Sequence, residues 1–141
     1  MSESDDSVDD ALRRFGLPAK ATDRSRIIAD LQEQIRLEVD EEGDQSLMRV
    51  LCAQLFSLGV VEDSLVIWNA KSSNFDTCLG IDVQFLCGAG LEETKQFLET
   101  AATDASLRAL KYITECETSG DFDRYPLKRV LDETKAFYGV K

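Results

Sequence analysis

The stretch Asp44-Gln45-Ser46-Leu47-Met48-Arg49-Val50-Leu51-Cys52-Ala53-Gln54-Leu55-Phe56-Ser57-Leu58-Gly59 decides the fold. Leu47, Met48, Leu51, Cys52, Leu55 and Phe56 recur every three or four residues, which makes a broad apolar stripe on a helix running from about Asp44 to Leu58. Gly59 stands at the C′ position, where the chain turns left-handed. The stripe is wide enough to be the centre of a core. A second helix over about 61–72, carrying Leu65, Val66, Trp68 and Ala70, follows within a few residues, so the two form an antiparallel hairpin. Leu65 to Trp68 is β-favouring in composition, and a strand is the competing reading there. Glu62 and Asp63 in a first turn and Lys71 in a last turn suit the helix dipole and favour the helix. Upstream, Ile27, Ile28, Leu31, Ile35 and Val39 mark an amphipathic helix over roughly 23–40, ended near Gly43.

Downstream, Ser72, Ser73, Asn74, Asp76 and Gly80 supply the chemistry of a loop over 72–80. Ile81 to Cys87 reads as a short helix stopped by Gly88-Ala89-Gly90, and Leu91 to Ala101 as another with Leu91, Phe97 and Leu98 inward. Thr103 or Asp104 caps the next, which runs to about Thr118 and buries Leu107, Leu110, Ile113 and Cys116, with Gly120 closing it. The last begins after Tyr125, with Pro126 in its first turn, and uses Leu127, Val130, Leu131, Thr134 and Phe137. The expectation is an all-α protein, a bundle or short solenoid-like stack of six to seven helices in antiparallel hairpins. The stack is suggested by an offset of 35 residues between Val50-Leu51-Cys52-Ala53 and Phe85-Leu86-Cys87-Gly88, each followed by Gly and an acidic helix start. Shared hairpin grammar explains the same likeness without a repeat.

The chain has 141 residues, 27 Asp and Glu against 16 Lys and Arg, and a formal charge of −11. A pI near 4.4 argues against nucleic acid or an anionic membrane as the main partner. Glu3, Asp5, Asp6, Asp9 and Asp10 place five acids and no base in the first ten residues. Such a stretch lacks the apolar surface that offsets the entropy of ordering, so residues 1–14 are expected as a disordered acidic tail before a single helical domain over 15–141. A short first helix over Val8 to Phe15 is the alternative. The N-terminus has no basic and apolar signal pattern, and no run of apolar residues is long enough to span a bilayer, so the expected location is the cytoplasm.

With no His in the chain, Ser-His-Asp and Cys-His catalysis and every imidazole-containing zinc site are excluded. Cys52, Cys78, Cys87 and Cys116 match no CxxC or zinc-ribbon spacing. Cys52 and Cys116 lie on apolar stripes and read as small core residues, whereas Cys78 falls in the expected loop and reads as an exposed thiol. Gly88-Ala89-Gly90 lacks the preceding strand and the Lys of a phosphate loop, and no cofactor motif is present.

The densest unusual stretch is Trp68 to Asp76, followed by Asp82 and Gln84. Trp68, Lys71, Asn74, Phe75, Asp76, Asp82 and Gln84 are the candidate binding residues: aromatics for contact area, carboxylates and Lys for charge. A desolvated Lys71 would turn the region toward chemistry, because burial makes a lysine reactive. The bland alternative is that Trp68 packs inside while Asp76 and Asp82 cap helices. In length, acidity and hairpin layout the chain is loosely similar to small bacterial immunity and adaptor proteins and to short helical-repeat modules, a likeness that transfers no site residue. The leading expectation is therefore a non-enzymatic interaction module presenting acids of the 23–40 helix, together with the flexible acidic tail, to a basic or mixed protein partner, an immunity protein masking a basic toxin being one version. A small-molecule site or small enzyme around Trp68 to Asp82 is the rival, and a homodimer the third reading.

Overall fold

The computed structural model describes residues 3–123 and 126–141. Helix α3 (Gln45–Leu58) is the hub, with every residue from Val50 to Phe56 buried. Asp44 opens it by accepting a hydrogen bond from the Leu47 N–H, and Gly59 closes it at φ 69°. Around it lie α1 (Glu3–Phe15), α2 (Arg24–Glu38), α4 (Asp63–Lys71) and α5 (Phe75–Gly80), together with a 3₁₀ turn at Val83–Cys87. Helices α6 (Leu91–Ala101) and α7 (Asp104–Thr118) form a hairpin that docks on α4, and α8 (Leu127–Phe137) closes over the 83–87 turn. A stack of repeats would touch only neighbour to neighbour. One helix meeting four others and a turn is a bundle. The described residues are helices, turns and loops, with no strand at 65–68, and no helix among them is long and apolar enough to cross a membrane.

Two segments depart from the sequence reading. The acidic stretch expected as a tail over 1–14 carries α1, and the short first helix is what forms. Val8, Ala11, Leu12 and Phe15 share one face at helical spacing, and Ala11 and Phe15 are buried in the core. The fully buried Gln54 of α3 fixes the end of this helix by donating its side-chain N–H groups to the Ala11 and Gly16 carbonyls, both at 3.0 Å. Ser57 Oγ adds a 2.9 Å acceptor for the Ala19 N–H, and Arg14 reaches Asp30 of α2 at 3.3 Å. Helix α1 is thus packed on α3 through Ala11 and Phe15.

The expected loop over 72–80 contains α5. Asn74 and Thr77 make a reciprocal capping box, each side chain satisfying the other's backbone N–H, so the polar residues that read as turn formers start a helix instead. Elsewhere the differences are of face rather than of element. On α7, Ser106, Ala109 and Ile113 point inward and Leu107 is 46% exposed; on α8, Val130 and Thr134 are buried and Phe137 is 66% exposed. Thr103 is the N-cap of α7, accepting from Ser106. Pro126 is the N-cap of α8 rather than a first-turn residue, and Tyr125 lies outside the described residues.

Candidate functional site

The seven candidate residues fall into three places. Lys71, at the end of α4, is 2% exposed. Its ammonium donates to the carbonyls of Cys78 and Ile81 and stands 5.2 Å from the centre of the Tyr112 ring. Burial pulls its pKa below the ordinary lysine value, opposed by the nearby Cys78, Cys116 and Asp82. Trp68, one turn earlier, is half-buried with its ring 5.5 Å from that of Tyr112. Burial pushes the Tyr112 hydroxyl well above its usual range, and burial likewise raises the Cys116 thiol. The Lys71 ammonium is thus engaged by two carbonyls and lies beside a tyrosine ring, so it holds the end of α5 to α4.

Asn74, Phe75 and Asp76 belong to the start of α5. Asn74 is occupied by its capping role, while Phe75 is 76% exposed and Leu79, four residues on, is 69% exposed, so α5 shows an apolar face to solvent. Asp76, in the first turn, is exposed, whereas Asp82 lies beyond the last turn and lines a separate cleft that Asp76 does not enter.

Asp82 and Gln84 instead line a cleft of about 330 Å³ with Arg49, Val130, Glu133, Thr134 and Phe137. Arg49 is the residue that sequence reasoning missed, although a lone charge between Met48 and Val50 on an otherwise apolar helix was a signal. Its guanidinium lies 4.4 Å from the Phe137 ring centre and 6.0 Å from that of Tyr138, and one Nη is 3.6 Å from Asp82 Oδ2. Gln84 donates to the Asp121 carbonyl at 2.8 Å.

The acids of the 23–40 helix are largely spent within the fold. Helix α2 carries Arg24, Arg26 and Arg36 against Asp30, Glu33 and Glu38, three of each sign. Arg36 pairs with Glu33, which lowers the Glu33 pKa through that hydrogen bond; Arg14 pairs with Asp30; and Arg24 makes two hydrogen bonds, 2.6 and 2.9 Å, to the buried Asp63 of α4. The unbalanced charge begins where the helix ends. Asp40, Glu41, Glu42 and Asp44 follow with no base among them. Beside them Gln32, Ile35, Glu38, Val39, Asn69 and Ser73 line a groove of about 370 Å³ between α2 and the end of α4. Val39 is 83% exposed, and Glu38 Oε2 is buried without a hydrogen-bond partner. The Glu38 carboxylate folds over Gly43, where a Cβ would come within 2.6 Å of that oxygen.

No family model, curated protein or solved structure matches this chain. Among the described residues, no three His, Cys, Asp or Glu side chains come together as a metal site. Two surfaces carry unpartnered polar groups beside apolar side chains: a mixed-charge cleft at Arg49, and an acid-flanked apolar groove at Val39.

Proposed function

We propose that this protein is a non-enzymatic protein-interaction module whose docking surface is the groove at the C-terminal end of α2, and that its occupant is a basic amphipathic helix of a partner protein. The observation that carries the reading is Glu38. A carboxylate oxygen that is buried and unpartnered costs free energy, and this one is tucked over Gly43 while the rest of Glu38 lines the groove with Ile35 and Val39, so a donor that draws the carboxylate outward relieves that cost. A partner helix meets both needs at once, laying Leu or Ile on Ile35 and Val39 while a Lys or Arg one turn away supplies the missing donor. Phe75 and Leu79 of α5, beginning two residues beyond the Ser73 edge of the groove, offer further apolar area.

Charge supports the same occupant. The exposed Asp40, Glu41 and Glu42 are weak as individual pairs, but together they attract a basic segment and repel an acidic one. Arg24 is tied to the buried Asp63 and Arg36 to Glu33, which leaves the run Asp40, Glu41 and Glu42 in excess at this end of the helix.

The test is a titration of isotope-labelled protein with a synthetic amphipathic Leu/Lys helix and with its Leu/Glu counterpart. The Leu/Lys peptide should shift the amide signals of Ile35, Val39, Asn69 and Ser73, and its affinity should fall as salt rises. Glu38→Gln should weaken it ~10-fold or more, the scale of one charge-assisted hydrogen bond. Equal binding of both peptides, or shifts confined to another face, overturns the reading. So does a homodimer that protects the same residues.

A further inference from the structure

We propose that the cleft at Arg49 is a binding site for a free α-amino acid with an apolar side chain, recognised through both of its charges at once. This site lies on α3, α8 and the 83–87 turn and is independent of the groove at Val39. Its volume, about 330 Å³, sits at the small end of ligand pockets, which run from about 300 to 1,000 Å³.

The first ground is Arg49. A guanidinium has five N–H donors in a rigid fork suited to a carboxylate. Here Nε is buried with no hydrogen-bond partner, and the ion pair with Asp82 stands at 3.6 Å, beyond hydrogen-bond length. The side chain is only 27% exposed, and Phe137 at 4.4 Å covers the plane of the guanidinium. A cation so positioned, desolvated on one face and short of acceptors, is prepared for an incoming carboxylate.

The second ground is the rest of the lining. An anion alone would meet two carboxylates, Asp82 and Glu133, on the same walls, and a cation alone would meet Arg49. A ligand carrying one charge of each sign meets both, with its carboxylate on Arg49 and its ammonium toward Asp82 and Glu133. Val130 and the exposed ring of Phe137 supply the apolar wall for the side chain. The same contact accounts for Phe137 facing outward on α8: its ring covers Arg49 rather than the core.

The experiment is calorimetric and NMR titration of the intact protein with L-leucine, leucinamide and N-acetyl-leucine at concentrations up to ~10 mM. L-leucine should bind saturably and shift the signals of Arg49, Gln84 and Phe137. Leucinamide, lacking the carboxylate, and N-acetyl-leucine, lacking the ammonium, should each bind at least ~10-fold more weakly. Phe137→Ala, at an exposed position, should weaken L-leucine while leaving the melting temperature within a few degrees. Absence of saturable binding by L-leucine overturns the proposal, as does equal binding of either blocked analogue. The analogues act on the unaltered protein, so the answer does not depend on any variant folding.

Discussion

Replacing Gln54 with Leu should release helix α1 from the body while leaving most of the core in place. The side chain is fully buried and its Nε2 donates to two carbonyls, Ala11 O and Gly16 O, each at 3.0 Å. At ~0.5–1.5 kcal/mol net for each hydrogen bond, the attachment of α1 weakens by about 1–3 kcal/mol. Leu is close in volume, so no large cavity adds to the loss. It also removes Gln54 Oε1, which is buried without a partner, and that returns on the order of 1 kcal/mol to the whole protein. Global stability should thus change little while local opening becomes much easier. A detached α1 has little reason to stay helical, since 13 residues is near the ~12–15 residue limit for marginal isolated helices and its sequence is rich in acids. Amide exchange reads both quantities. Protection from Val8 to Phe15 should fall ~5- to 150-fold, the equivalent of that local loss, while the urea midpoint moves by much less. Unchanged exchange across α1, or a loss spread evenly over α3 and α7, would refute the reasoning.

Two further outcomes follow from burial. The thiols of Cys52 and Cys87 are both pushed up by burial, Cys87 to about 12, so the folded protein keeps protons that the unfolded chain gives up from ~pH 8.5. Their contribution is complete below that pH and is lost as pH climbs toward the folded values, ~2 kcal/mol for each thiol at pH 10. Lys71, depressed by burial, works in the opposite sense over the range below its ordinary ~10.4. Urea midpoints at pH 7.5 and 10 should therefore fall less in a Cys52→Ala/Cys87→Ala double variant than in the unaltered protein; equal falls would remove the thiols as the cause. Separately, Gly88→Ala should cost about 1–3 kcal/mol, because its Cβ would stand 2.5 Å from the Phe56 carbonyl, whereas Gly80→Ala meets nothing within 4 Å and should be neutral. Thermal melts of the two variants compare them directly.

Periodicity exposed α2, α3, α4, α6 and α7 because their apolar stripes are long enough to repeat. It failed at α1, where the composition of the first ten residues outweighed the spacing of Val8, Ala11, Leu12 and Phe15, and where the decisive partner, Gln54, is 38–43 residues away. At α5 the failure was one of chemistry, since an Asn74–Thr77 capping box and a turn use the same residue types. Charge was readable as a total but not as a field. The Glu33–Arg36 pair is visible in the spacing, yet Arg14–Asp30 and Arg24–Asp63 join different helices. Of the candidate residues, the burial of Lys71 could be raised as a question from its place on α4, and only the fold shows what it holds. Arg49 and Glu38 matter through what their side chains lack, which no linear pattern displays.

The Lys71 ammonium reaches the carbonyls of Cys78 and Ile81, at the closing end of a helix only six residues long. So short a helix does not sustain itself, and the positive charge beneath it acts as a rivet driven from the inside. The outer apolar face, Phe75 and Leu79, is therefore inherited from a residue that never meets solvent. A screen of exposed positions would pass over Lys71, yet replacing it would redraw the surface above without touching a single exposed atom.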